Sequence, residues 1–197
     1  MVEIAPLDTV PIANEVIKQE LYDQFINTKY VYSNAKDKTL IIENSFPKGG
    51  LEYTDLLGNT FIYAIFWTRI TNSTDQPFDF SIHFPADAFL LPNSTDNYCR
   101  IVLPKAMMSL DKAPMFNYGL PNLAVVLDPI LDQPSDFESI IPPMTSCIFY
   151  VITLFNHGVE GSIRAGLSIQ NQSLIYTIND TTIHCGVIDD EPLIWKE

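Results

Sequence analysis

Between Phe61 and Phe84 the chain reads FIYAIFWTRITNSTDQPFDFSIHF, and its apolar pattern changes once along the way. From Phe61 to Trp67 both alternating sets are apolar: Phe61, Tyr63, Ile65 and Trp67 on one side, Ile62, Ala64 and Phe66 on the other. That pattern predicts a strand buried on both faces. After a polar turn, Phe78, Phe80, Ile82 and Phe84 alternate with Asp79, Ser81 and His83, which predicts a strand with one wet face.

Residues 11–26 carry the helical period instead. Ile12, Val16, Leu21 and Phe25 fall near one face with Ile17 alongside, and Glu15, Lys18, Gln19 and Asp23 fall mostly on the other. Asp8 or Thr9 can cap this helix, and Pro11 suits its first turn. It is expected to form an N-terminal extension over residues 1–38, packed on a β-sandwich domain spanning 39–197. Further strands are expected at Thr39–Glu43, Tyr98–Leu103, Phe137–Ile141, Cys147–Phe155, Ser162–Ile169 and Ser173–Ile178. The pairs Gly49-Gly50 and Gly58-Asn59 mark turns. Gln170-Asn171-Gln172 reads as a tight connection between two strands. Ile163, Ala165, Leu167 and Ile169 alternate with Ser162, Arg164, Gly166 and Ser168, so one face of that strand should be wet. Strands at this density, with little helix between them, predict a mainly-β protein: an antiparallel immunoglobulin-like sandwich rather than βαβ units.

Ten of the fourteen prolines lie between Pro77 and Pro143, so this region cannot be mostly central strand. Its middle, Pro104–Ser135, is a connection of about thirty residues, longer than an ordinary loop in a compact domain. A short helix is expected around Asn122–Leu127. Met107, Met108, Met115, Phe116 and Tyr118 crowd into the first half of the connection, and adaptable Met-rich surfaces suit partner binding. The competing reading is that these side chains close one end of the sandwich as core. It carries the greater weight, because long loops often bury their own apolar residues.

Composition narrows the partners. The chain has 197 residues and a formal charge of −13. Its acids thicken toward the end: residues 121–197 hold ten of them against Arg164 and Lys196. Such a chain repels phosphate, so nucleic acid is not expected as a partner. A hydrophobic fraction of 47% suits a packed globule, and a chain this long needs no covalent staples. Cys99, Cys147 and Cys185 are an odd number set in apolar runs, and they are expected to be reduced thiols. The opening MVEIAPLDTV has neither a basic n-region nor an apolar h-region, so the chain as written is expected to be cytoplasmic. No run approaches the roughly 18 apolar residues of a membrane helix.

No chemistry-bearing motif stands out. The His and Cys residues lack paired spacing for zinc, and Asp128, Asp132, Asp136 and Glu138 lack the spacing of a calcium loop. There is no G-x-S-x-G elbow, and Phe46-Pro47-Lys48-Gly49-Gly50 lacks the frame of a phosphate loop. No cofactor is expected. Four N-x-[ST] sequons, at Asn72, Asn93, Asn171 and Asn179, read as polar turns.

The runs ENSFPKGG, FIYAIFWTRITN, IHFPADAF, FYVITLF, SIRAGL and HCGVI, with Leu103-Pro104, resemble a set of uncharacterised bacterial all-β, immunoglobulin-like proteins. The likeness covers about residues 40–188. It implies a bacterial source and a single domain, and it brings no activity and no site residues. The expected function is a non-enzymatic binding or assembly module, meeting a protein partner or a second copy of itself. The alternative is a carbohydrate-active hydrolase working through carboxylates in a loop-built cleft.

Overall fold

The computed structural model describes residues 22–33, 39–92, 95–159 and 161–188. These residues are mainly β and antiparallel, and the sheets curl into a half-barrel. Twelve strands are present among them: β1 (Ile26–Ser33), β2 (Thr39–Ser45), β3 (Lys48–Thr54), β4 (Thr60–Asn72), β5 (Phe78–Phe84), β6 (Phe89–Leu90), β7 (Tyr98–Val102), β8 (Ser135–Ile141), β9 (Thr145–Phe155), β10 (Ala165–Gln170), β11 (Ser173–Ile178) and β12 (Thr181–Val187). One short helix, α1 (Leu123–Leu127), lies in the long connection, and the Asn122 side chain caps it by accepting from the Ala124 amide at 3.1 Å.

The main sheet runs β1-β2-β4-β9-β7-β6, with β3 also paired to β4. β10-β11-β12 and β5-β8 form two smaller sheets. Strands of all three sheets close on one core, in which Phe66, Ile70, Phe80, Phe84, Phe149, Leu167 and Tyr176 are buried. The alternation Phe78 to Phe84 is met residue by residue, apolar positions buried and Asp79, Ser81 and His83 exposed. Asn72, fully buried, ends β4 and redirects the chain. Its Nδ2 donates to the carbonyls of Gln76 (2.8 Å) and Ile141 (2.9 Å), which carries β5 out of the main sheet and onto β8. The β10–β11 hairpin turns on Asn171 (φ 48) and Gln172 (φ 67), both left-handed as a two-residue turn requires.

Two side chains, Asn44 and Tyr32, fasten β10 to the main sheet. Asn44, 1% exposed on β2, donates through Nδ2 to Thr28 Oγ1 (3.0 Å) and to the Leu167 carbonyl (2.9 Å). Its Oδ1 accepts from the Leu167 amide (2.8 Å) and the Thr68 hydroxyl (2.9 Å). All four hydrogen-bonding positions of the amide are filled. The Tyr32 hydroxyl accepts from the Ile169 amide at 2.9 Å, so side chains stand where a neighbouring strand would otherwise satisfy β10. A Cβ at Gly166 would come within 2.9 Å of the Asn44 side chain, which is why only glycine fits there. That packing divides the expected wet face: Ser162 and Arg164 are exposed, whereas Gly166 is covered and Ser168 is buried.

Two further expectations change. The helix over residues 11–26 falls largely outside the described residues. Within them, Phe25 closes a turn onto the Tyr22 carbonyl at 2.9 Å and the chain is already strand from Ile26, so the helix does not reach its expected end. β1 thus belongs to the main sheet although it lies in the span expected to be an extension. Gly49-Gly50 is not a turn between strands but a bulge inside β3, where the register with β4 shifts between Gly49 and Leu51. No helix among the described residues is long and apolar enough to cross a membrane.

The three cysteines are free, and burial pushes the Cys147 and Cys185 thiols up to about 12 from 9.0. Between pH 9 and 12 the unfolded chain therefore loses thiol protons that the folded chain retains, and stability falls as pH rises through that window. Denaturant midpoints measured from pH 8 to 11 should decline steadily above pH 9. A flat profile would contradict the burial of these thiols.

Candidate functional site

The second face of β4 and β9 carries Tyr63, Ile65, Trp67, Tyr150, Ile152 and Leu154, all buried. Among the described residues, no strand covers them. The connection between β7 and β8 does, by laying Met108, Ala113, Tyr118, Leu120, Leu127 and Leu131 on them. The Tyr118 ring meets Trp67 edge-on, with centroids 6.4 Å apart.

Polar groups fix this cover in place. Tyr118 donates its hydroxyl to the Phe46 carbonyl at 2.6 Å, and Tyr150 donates to the Tyr118 carbonyl at 2.7 Å. The Lys48 ammonium donates to the carbonyls of Ala113 and Met115, each at 2.6 Å, and stands 4.3 Å over the Tyr118 ring. Desolvation holds its pKa below the usual lysine range. Arg100 Nη1 donates to the Leu131 carbonyl and to Asp132 Oδ1, both at 3.0 Å. Tyr53 donates to Asp128 Oδ1 at 2.5 Å. At about 1 kcal/mol net for each such bond, these fastenings explain how a connection with so little regular structure holds one shape.

The residues singled out from sequence divide between the two sides of this cover. Met108 (2% exposed) and Tyr118 (0%) are core. Met107 (77%), Met115 (51%) and Phe116 (73%) face outward. The division is made by the backbone: Asn117 (φ 49), Tyr118 (φ 54) and Gly119 (φ 68) are left-handed in succession. This reversal sends Tyr118 inward and leaves Phe116 out. Non-glycine residues in that region cost of order 1 kcal/mol each, and the bonds at Tyr118 and Asn117 hold them there.

Beside Phe116 lies a groove of about 490 Å³ between β3 and the connection, lined by Glu52, Thr54, Phe116, Asn117, Leu120 and Ala124 among others. Asn117 is 7% exposed; its Nδ2 donates to the Tyr63 hydroxyl at 3.0 Å, while its Oδ1 has no hydrogen-bond partner. Glu52 lines the groove, and Asp128, Asp55 and Asp132 stand around Tyr53. Burial raises the Tyr53 phenol well above its ordinary pKa, and the hydrogen bond to Asp128 and the charges of Asp128, Asp55 and Asp132 raise it further. Past Thr54, the β3–β4 turn presents Leu56 and Leu57, 82% and 81% exposed. Asp55 holds that turn by accepting from the Leu57 and Asn59 amides at 2.9 and 2.8 Å. Sequence reasoning does not single out Glu52, Tyr53 or Asn117, the first two because Gly49-Gly50 and Gly58-Asn59 around them carry the signals of turns. Asn117 had one legible signal, since Asn two residues before Gly tolerates the left-handed region.

A second hollow, of about 580 Å³, lies on the outer face of β5 and β8 and is lined by Asp79, Ser81, Glu138, Ile140 and Val187 among others. Its carboxylates sit on a strand face, with Ser81 opposite Glu138 and Asp79 opposite Ile140. His83 and Asp136 pair beside it at 2.5 Å, both more than half exposed. Among the described residues, no group of three or more His, Cys, Asp or Glu side chains is placed to hold a metal ion.

No protein-family model, no curated protein and no solved structure matches the chain.

The two sides of the cover should respond differently to truncation. Met108→Ala should destabilise by about 2–5 kcal/mol and Met107→Ala by less than about 0.5 kcal/mol. Urea midpoints of the two variants check this; equal shifts would contradict the placement of the connection.

Proposed function

We propose that this chain is a non-enzymatic binding module for a protein partner, with its docking surface on the outer side of the β7–β8 connection. Phe116 is the anchor, and Met115 and Met107 flank it. The observation that carries this reading is the exposed Phe116 ring standing beside a groove on backbone fixed by Tyr118, Tyr150 and Lys48. An aromatic anchor already held in place loses little freedom on binding, and such anchors dominate interface energetics. We read the framework as an immunoglobulin-like sandwich; the main sheet facing β5, β8 and β10 to β12 across one core supports it. Assembly with a second copy is disfavoured by the charge of −13, which two copies would bring together. The carbohydrate-hydrolase alternative would use Asp79 and Glu138, and these stand on an open strand face rather than in a cleft built by loops.

Selection of a displayed random-peptide library on the intact chain tests the docking surface. Peptides recovered should lose at least tenfold in affinity for Phe116→Ser, a change of about 1.4 kcal/mol, at an unchanged melting temperature. Peptides that bind Phe116→Ser as well as the parent would place the docking surface elsewhere.

A further inference from the structure

The groove beside Phe116 has three properties that together describe an occupant. The first is a strand edge: the groove lies against β3, and among the described residues β3 pairs only with β4 and none hydrogen-bonds to its backbone from the other side. Strand edges of this kind accept an added strand through main-chain bonds. The second property is charge: Glu52 is exposed on β3, Asp128 caps the Tyr53 hydroxyl, and Asp55 begins the turn beyond Thr54. The nearby cations are already engaged, Lys48 with the carbonyls of Ala113 and Met115, and Arg100 with Leu131 and Asp132. The third is the orphaned amide of Asn117. With only the Tyr63 hydroxyl in reach, either orientation of the amide leaves one polar atom unpartnered in a residue that lines the groove.

We infer that the partner is a basic peptide segment that docks in extended form along the edge of β3, with Lys or Arg side chains meeting Glu52 on one face of the strand and Asp128 on the other, and an apolar residue meeting Phe116 and Leu120. The inference rests on the docking surface proposed above and names its chemistry. Charge complementarity decides among occupants. A second copy of this chain would set Glu52 and the neighbouring aspartates against one another, whereas a cationic strand removes that repulsion and is steered in by the field of the whole protein. Main-chain pairing supplies affinity without demanding one sequence, and alternate side chains of the added strand reach the groove and the solvent.

The test takes the peptides selected on the intact chain and measures them as free synthetic peptides by fluorescence anisotropy. Lys and Arg should be enriched, and binding should weaken at least tenfold between 50 mM and 500 mM sodium chloride. Glu52→Lys should weaken binding by about tenfold or more, since an attraction becomes a repulsion at an exposed site. N-methylation of alternate peptide amides should abolish binding in one of the two phases and leave it in the other. Neutral or acidic consensus peptides that still need Phe116 would overturn the basic-strand inference and leave the docking surface standing. So would indifference to N-methylation in both phases. Basic peptides that bind Phe116→Ser undiminished would overturn the docking surface itself.

Discussion

The two strands at the centre of the main sheet are apolar on both faces, and the placement of nearly every other element follows from that. Along β4 and β9 the register sets Ile65 against Ile152, Phe66 against Val151 and Trp67 against Tyr150, so large side chains leave the sheet in both directions. At about 25 cal/mol per Å² of apolar surface, neither face can be left in water. One face is met by β5 and β8 and by β10 to β12. Among the described residues the other has no strand to meet it, and the connection between β7 and β8 takes that place. A segment that would otherwise be a solvated loop is thereby part of the core.

The two covers are attached by different chemistry. Asn44 joins β10 to the main sheet through one amide with every position filled, and Tyr32 extends the same edge. A buried network this complete specifies a single register, because a slip of one residue would strand several polar groups in the core. The opposite cover is attached by phenol hydroxyls and by Lys48, reaching carbonyls that an irregular backbone leaves unpaired. Tyrosine serves here because its ring belongs to the core while its hydroxyl reaches the far side. Glu43 and Arg69 form a buried ion pair on that same face of the sheet, and Lys29 reaches Glu43 at 3.1 Å from the rim.

Much of this was legible in the sequence. The doubly apolar run at Phe61–Trp67, the alternation at Phe78–Phe84, the turn at Gln170-Asn171-Gln172 and the short helix around Asn122–Leu127 each carry their signal within a few residues. β1 was not legible, because the helical period of the preceding residues runs on through Phe25. β3 was hidden by Gly49-Gly50, which mark a bulge as readily as a turn, and β12 by its short alternation after the acidic Asn179-Asp180 turn. The doubly apolar strand implied a cover on each face, but the identity of the second cover depends on hydrogen bonds between residues more than thirty positions apart, such as Tyr118 to Phe46. The site divides likewise. Phe116, Met115 and Met107 stand out by composition, whereas Glu52 and Asn117 join them only through the fold.

Native-state hydrogen exchange of the connection tests the central claim most directly. The amides of Tyr118, Leu120 and Leu131 donate within the connection, to the carbonyls of Met115, Asn117 and Leu127. If the connection is the second cover of the core, these amides exchange only through openings nearly as costly as those that expose the centre of β4 and β9. Rapid exchange at Tyr118, Leu120 and Leu131, with β4 and β9 still protected, would show the sheet to be stable without that cover and would contradict the account.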